Sequence, residues 1–440
     1  MAIHNGVSFR AHLRAWFRAS TGTPGYNSLE TGPDTEDYTP ARSEYTITLM
    51  YNLPSDLQAT VVDYLERHLD AYIDDLKALV SLDSYSYDPA GVNRVVDWLE
   101  HRLDLMGFEV ERFAAHERGD NLRAVKRGRG ARSVMLLGHS DTVFPRGTAA
   151  ERPLTISGDK IMGPGACDMK GGLLAGLYAI NALAEAGFDN YGELIFLVVS
   201  DEEIDPRQSI PLIRETSRRA DAVLTLEAAR ENGDIVVARK GMRSFTAEAF
   251  GRAAHAGVEP EKGRNAILAM ARQVDALASL NDPTRGISVN VGAIEGGRLR
   301  NVVPDYAVIR FEARAYDWEN LKAVTQAIES IFERETVPGV TFKLSWMDAS
   351  PPMPRTPEIA ALEGMAVEIA RSLGFETRGA QTGGTADVAF AVDEGVPALD
   401  GLGPVGGLDH SPDEYILRSS IAPRTALLAL LVAAICQRTP

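Results

Sequence analysis

Three short apolar runs in this chain end abruptly in histidine or carboxylate residues. Ser133 to Leu137 runs into Gly138, His139, Ser140 and Asp141; Leu194 to Val199 into Ser200, Asp201, Glu202 and Glu203; and Leu224 to Leu226 into Glu227. Runs this short, without alternation, read as strands buried on both faces, and the stretches between them, such as Gly171 to Ala186, read as helices. Buried strands alternating with helices predict an α/β fold, a sheet layered between helices. Polar groups at the carboxyl ends of such strands are where open α/β sheets gather their chemistry. The 39 Gly and 23 Pro are scattered without a period, which excludes collagen-like and coiled-coil classes.

Along the chain, Val61, Tyr64, Leu65, His68, Leu69, Ile73, Leu76 and Leu79 predict one long amphipathic helix beginning at Leu57. A second helix is expected near Val92 to Met106, stopped by Gly107, followed by an apolar run over Phe108 to Phe113. The pattern changes near Gly241. Strand (Arg243 to Phe250), helix (Arg264 to Leu280), strand (Ile287 to Ile294), strand (Tyr306 to Tyr316), helix (Trp318 to Phe332) and strand (Thr341 to Trp346) spell β-α-β-β-α-β, a ferredoxin-like unit that closes a small domain by itself. A catalytic domain over 56–240 and 351–440, interrupted by an insertion over 241–350, is therefore expected. Residues 1–55, with little to bury between Thr21 and Ser43, read as an appendage. The apolar run near Ala426 to Cys436 fits a buried C-terminal helix and falls short of the roughly 20 residues of a membrane span.

Charge narrows the partners. With 61 acidic and 45 basic residues the net charge is -16, which repels nucleic acid and anionic lipid surfaces. Two cysteines, Cys167 and Cys436, are too few for a disulfide scaffold and suit a reducing compartment, so a cytoplasmic protein without membrane or nucleic-acid partners is expected.

Each polar cluster has two readings. His139 and Asp141, two apart on an extended backbone, face the same way, so the carboxylate can orient a metal-binding imidazole; a structural histidine in a turn is the alternative. Asp168, in Gly163-Pro164-Gly165-Ala166-Cys167-Asp168-Met169-Lys170-Gly171-Gly172, can cap a helix or bridge two metal ions. Three adjacent acids at 201–203 make an ordinary solvated loop, yet here they end an apolar strand, where like charges need a cation to neutralise them. Glu202 and Glu203 point opposite ways, so one can ligate while the other holds a water. Adding Glu227 and His410, the latter in Gly406-Gly407-Leu408-Asp409-His410-Ser411-Pro412, gives His139, Asp168, Glu203, Glu227 and His410. Three carboxylates and one hydroxide would balance two divalent cations, and imidazole with carboxylate suits zinc.

In this order, Gly138-His139-Ser140-Asp141-Thr142-Val143, the glycine cluster around Asp168, Asp201-Glu202-Glu203 and His410-Ser411-Pro412 resemble the M20 family of zinc metallopeptidases, in particular its glutamate carboxypeptidase branch. The resemblance runs from about Leu57 to the C-terminus. It implies a two-zinc catalytic domain, with cobalt or manganese as alternatives, and an inserted dimerisation or lid domain that makes the protein a homodimer. Asp168 would bridge the metals, with His139 and Glu227 completing one site and Glu203 and His410 the other. Glu202 would be the general base, Asp141 the acid that orients His139, and His255 the oxyanion stabiliser. Asn301, Arg314, Gly384 and Thr385 would hold the substrate's terminal carboxylate, and the Asp168-Met169 peptide bond would be cis. The reaction implied is hydrolysis of a peptide or N-acyl amide bond in a small substrate. N-acyl-amino-acid deacylases and N-carbamoyl-acid amidohydrolases share these ligands, and a metal-free binding homologue would have lost some of them. Two departures from the family pattern lie beside the pocket: Ile204-Asp205-Pro206-Arg207-Gln208 replaces a run of small residues, and Ala228 follows Glu227 where a proline is common.

Overall fold

A computed structural model describes residues 53–437 apart from residues 55, 116, 205, 206 and 348. The expected appendage over 1–55 therefore lies almost entirely outside the described residues. The fold is mixed α/β in two compact units, one holding the described residues through Ile235 together with Glu358–Gly379 and Pro397 onward, the other Val236–Pro357 with Ala380–Val396.

The first unit begins with α1 (Leu57–Arg67), α2 (Leu69–Val80) and α3 (Pro89–Leu105). Strands β1 (Glu109–Phe113), β2 (Asn121–Arg127) and β3 (Val134–His139) follow, then α4 (Gly171–Glu185), β4 (Glu193–Val199), α5 (Ile210–Ser217) and β5 (Ala222–Thr225). The expected single helix from Leu57 is broken at His68. There the ring Nδ1 reaches the Tyr64 carbonyl oxygen (2.7 Å) and the ring stacks on Tyr64, while the backbone leaves helical geometry at φ -105 and ψ 9. Apolar periodicity runs through the break because both helices bury the same stripe.

In the second unit, β6 (Gly241–Phe250), α6 (Ala266–Ala278), β7 (Ser288–Gly296), β8 (Tyr306–Ala315), α7 (Trp318–Phe332) and β9 (Thr341–Trp346) form the expected β-α-β-β-α-β order. The sheet is antiparallel throughout, in the order β7-β8-β6-β9. Ala307, Ile309, Phe311, Ala313 and Ala315 face a core completed by Met270, Leu321, Val324 and Ile328 from the two helices, leaving Arg310, Glu312 and Arg314 on the opposite face. The unit also takes in 380–396, a segment that the apolar pattern assigns to the returning catalytic domain. Polar contacts hold it: Trp318 Nε1 donates to Asp393 Oδ1 (2.8 Å), and Arg314 Nη1 donates to the Gly383 carbonyl (2.8 Å).

The chain then adds α8 (Pro357–Ser372), β10 (Ala398–Leu399) and α9 (Arg418–Gln437). The central sheet of the first unit has the order β1-β2-β4-β3-β5-β10. Its β3, β4, β5 and β10 run parallel, while β1 and β2 are antiparallel to their neighbours. Helices α1, α4 and α9 pack together and α3 packs on β1 and β2. Among the described residues α9 is the one helix with the length and apolarity to cross a membrane, yet it is buried inside its own unit from Thr425 to Cys436.

Candidate active site

Sheet register brings the polar strand ends together. His139 pairs with Val199, the last residue of β4, and the Leu226 N–H donates to the Leu137 carbonyl (2.9 Å), so His139, the 201–203 acids and Glu227 emerge from one end of the sheet. Asp141, fully buried, organises the neighbourhood. Its Oδ1 accepts the Glu202 N–H (3.2 Å), and its Oδ2 accepts the Glu203 N–H (3.3 Å) and the Ser86 hydroxyl (2.7 Å). The His139 Nδ1–H donates to Asp141's own carbonyl oxygen (3.0 Å), with the carboxylate at 3.4 Å. Nδ1 is thus occupied and Nε2 is the ring nitrogen that could ligate a metal. Asp201 closes the following loop by accepting from the Gln208 and Ser209 N–H groups and from the Ser209 hydroxyl.

Asp168 lies on an irregular turn ahead of α4, entered through Gly165 at φ 71, a conformation that favours glycine. The Asp168-Met169 peptide bond is cis, as the resemblance implied. Asp168 Oδ1 lies 2.8 Å from His139 Nε2, and Oδ2 lies 3.2 Å from His410 Nε2. His410 Nε2 is also 3.0 Å from Glu203 Oε2, and His139 Nε2 is 3.7 Å from Glu227 Oε1. His410 is held at φ 63, a left-handed conformation that costs a non-glycine residue roughly 1–2 kcal/mol and tends to mark functional positions.

These five residues fit divalent metal. His139, Asp168 and Glu203 offer ligand atoms that all lie within 4.8 Å of one another. Glu203 Oε1 is buried without a hydrogen-bond partner, an acceptor waiting for a cation. The electrostatics agree. Burial pushes the Glu203 and Glu227 carboxyls up, the nearby Asp168 charge adding to it. Burial opposes a charge on His139, but the Asp141 and Asp168 carboxylates outweigh it and raise its pKa well above the usual value. Hydrogen bonds from its ring to the Asp168 and Glu203 carboxylates push His410 up to about 11. The cluster attracts positive charge at both histidines, which is the condition for holding cations.

The remaining expected residues belong to the second unit. His255 is exposed, in a two-residue strand (Ala254–His255) paired with Val302–Val303, and the Ala256 N–H donates to the Asn301 carbonyl (3.0 Å), which makes His255 and Asn301 neighbours. The Gly257 N–H donates to His255 Nδ1 (3.2 Å), so the neutral ring carries its proton on Nε2. Arg314 meets the 383–385 loop through its bond to Gly383. Its Nε and Nη2 engage Glu312 (2.7 and 3.0 Å), the intradomain pair that is the alternative to a substrate carboxylate. Gly384 accepts from Arg239 Nη1 (3.4 Å), and Thr385 is half-buried.

Two residues at the site escaped the sequence reading. Glu414 is 1% exposed and accepts N–H bonds from the turn that carries Asp168; burial pushes its carboxyl up to about 7, against the Asp168 and Cys167 N–H groups that favour its charge. Its position four residues beyond His410 was the available signal. Arg207, in the segment that departs from the family pattern, places Nη2 3.5 Å from Glu202 Oε1, an opposite charge beside the expected base.

Comparison with known proteins agrees with this geometry. The profile of Peptidase family M20/M25/M40 matches residues 135–434. Carboxypeptidase G2 of Pseudomonas sp. (strain RS-16) is 30% identical over 370 residues, covering 82% of this chain and 88% of that one. A succinyl-diaminopimelate desuccinylase of Stenotrophomonas maltophilia is 29% identical, covering 79% and 94%. Among solved structures, the aminopeptidase PepT of Bacillus cereus superposes with a TM-score of 0.72 at 23% identity, covering 83% of this chain and 98% of that chain. An M20 family metallo-carboxypeptidase from Sulfolobus solfataricus superposes at 0.66 and 17% identity, covering 83% and 99%. Both structural likenesses bear on the fold alone. The extent of the profile match, and the identity to an enzyme along most of both chains, establish that this chain belongs to the M20 family of metal-dependent peptidases and amidohydrolases.

Proposed function

We propose that the protein hydrolyses a peptide or N-acyl amide bond next to an amino acid with a free carboxylate, as a carboxypeptidase-like enzyme that uses two zinc ions. The observation that carries this reading is the division of Asp168 between two histidines, Oδ1 towards His139 and Oδ2 towards His410. A single carboxylate shared this way suits a pair of cations, with Glu227 beside the first histidine and Glu203 beside the second. Bound there, two divalent ions supply Lewis acidity for the scissile carbonyl and make a water acidic near neutral pH.

The chain's own groups do the rest. Glu202, adjacent to Glu203 and held through its N–H by Asp141, accepts the water's proton as the oxygen adds to the carbonyl carbon, then delivers it to the nitrogen as the C–N bond breaks. His255, whose Nδ1 accepts the Gly257 N–H, is left with Nε2 to donate to the oxyanion, from this chain or from a second copy. Arg314 receives the substrate carboxylate, since its contacts with Glu312 and Gly383 occupy only part of the five N–H donors of a guanidinium. Asn301, Gly384 and Thr385 complete that anchor. A second reading, an N-acyl-amino-acid deacylase, is favoured by the names of the desuccinylase relatives. Retention of all five ligands and of Glu202 argues against a non-catalytic binding homologue.

A homodimer through the second unit is part of the proposal. Strand β7 is a sheet edge with Ile294 exposed, and Ile267 and Leu268 on α6 are exposed as well, a surface suited to a second copy. Sedimentation of a monomer at micromolar concentration would refute it. Two buried free cysteines accord with a cytoplasmic setting. The direct test of function is release of amino acid from a panel of N-acyl amino acids and dipeptides, before and after zinc is removed with a chelator. Chelator-sensitive turnover of both groups supports the first reading and turnover of the acyl group alone the second; chelator-insensitive turnover would sink both.

A further inference from the structure

We propose that Glu414 is a positioning residue that locks two metal ligands, Asp168 and His410, into one rigid unit; the inference rests on the metal-site reading above. His410 lies at the tip of a hairpin whose arms, Gly406–Gly407 and Tyr415–Leu417, are paired. The returning arm also pairs with Lys160–Met162, Tyr415 facing Met162. Beyond that pair the strand leaves for the Asp168 turn, and Glu414 continues the connection. Its carbonyl accepts the Gly163 N–H (3.4 Å). Its Oε1 accepts the Cys167 N–H (2.8 Å) and the Asp168 N–H (3.0 Å), and its Oε2 accepts the Gly165 N–H (3.2 Å).

Three convergent N–H donors on one buried carboxyl make a directional anchor and favour its charged form, in which such hydrogen bonds are shorter and stronger. Both ends of this anchor lead to ligands. Asp168 is itself one of the donors, and His410 is four residues away in a backbone conformation that a side chain rarely adopts. Without the carboxylate, three backbone donors would be left buried and unsatisfied and the turn would relax. Asp168 and His410 would then lose their fixed separation even though neither was changed.

The test compares Glu414→Gln and Glu414→Ala with the unmodified protein, by titrating zinc into chelator-stripped protein against a chromophoric chelator. Circular dichroism and thermal melting of the stripped proteins are recorded in parallel. Glu414→Gln keeps the shape and one acceptor oxygen for the Cys167 and Asp168 donors, so it remains measurable if Glu414→Ala does not fold, but it removes the charge and sets an NH2 against the Gly165 N–H, which breaks one arm of the anchor. The expected result is a loss of about 10- to 100-fold in affinity for at least one zinc equivalent in folded Glu414→Gln. A folded Glu414→Ala should lose more. Unchanged zinc affinity in folded Glu414→Gln, even with a lowered melting temperature, would make the residue merely structural and overturn the proposal. Failure of the unmodified protein itself to take up zinc would overturn the metal-site reading and this inference together.

Discussion

At the scale of single residues, the proposed mechanism separates holding metal from moving a proton. Asp168 faces both histidines, so Asp168→Ala should lose bound metal and activity together, which elemental analysis of the purified variant checks. Glu202→Gln should retain metal yet lower kcat by about 100- to 10,000-fold, because an amide cannot accept the water's proton. Near-normal turnover in metal-replete Glu202→Gln would remove the assigned base. Protonation gives a third expectation. Asp168 and Glu203 hold His410 up at about 11, so at pH 7 the metal-free ring carries a proton that ligation must expel. Metal binding should therefore release protons and tighten as pH rises through neutrality; calorimetry in buffers of different ionisation enthalpy reads this directly. His139, Asp168, Glu203, Glu227 and His410 were legible as donors because each follows an apolar strand or sits among glycines. Glu414 was not, because nothing in residue type distinguishes an acid that accepts three backbone N–H groups from one in solvent, and Arg207 was not, because which acid an arginine meets is set by the fold.

At the scale of elements, close approach decides what the strand ends can carry. Gly172, in the first turn of α4, sits where a Cβ would come within 1.7 Å of the Leu226 carbonyl oxygen, immediately before Glu227. Gly403 meets the same peptide from elsewhere, its Cβ position 2.8 Å from the Leu226 oxygen and 2.9 Å from that of Glu227. Backbone on both sides cannot yield as a flexible side chain can, so Gly172→Ala should destabilise by about 3 kcal/mol or more, the upper range for overpacking. Urea denaturation measures this, and a variant within 0.5 kcal/mol would show that the helix shifts freely. Periodicity located α7 and β9 at their observed ends because Trp318–Phe332 buries one uninterrupted stripe, and because Phe342 and Leu344 alternate along Thr341–Trp346 to pack half-buried against the core. It missed β2. Asn121–Arg127 contains Arg123, Lys126 and Arg127, whose charges are met by Glu111, Glu215 and Glu109 and by the Met106 carbonyl, partners distant in sequence.

At the scale of the whole molecule, the proposed function assigns substrate recognition to Arg314, a residue of the second unit. If Arg314 receives the substrate carboxylate, Arg314→Ala should lower kcat/KM by about 10- to 100-fold for substrates with a free acid, the value of a charged hydrogen bond, and far less for matching carboxamides. Equal losses on both would leave Arg314 as the partner of Glu312 alone, and would reopen the choice between carboxypeptidase and general amidohydrolase.

The amino-acid sequence by itself determined the class of fold, the β-α-β-β-α-β unit within it and a set of candidate donors, because burial is periodic and metal chemistry is restricted to a few side-chain types. Sheet register decided what no linear pattern records. It aligned His139 with Val199 and set Leu226 against Leu137, and it ran the His410 hairpin beside Lys160–Met162, so that candidate donors 29 to 242 residues from Asp168 meet at its carboxylate or beside it. Hydrogen bonding between groups far apart in sequence leaves no periodic mark in the chain. For that reason the anchoring of the Asp168 turn by Glu414, and the membership of 380–396 in the second unit, emerged only in the tertiary structure.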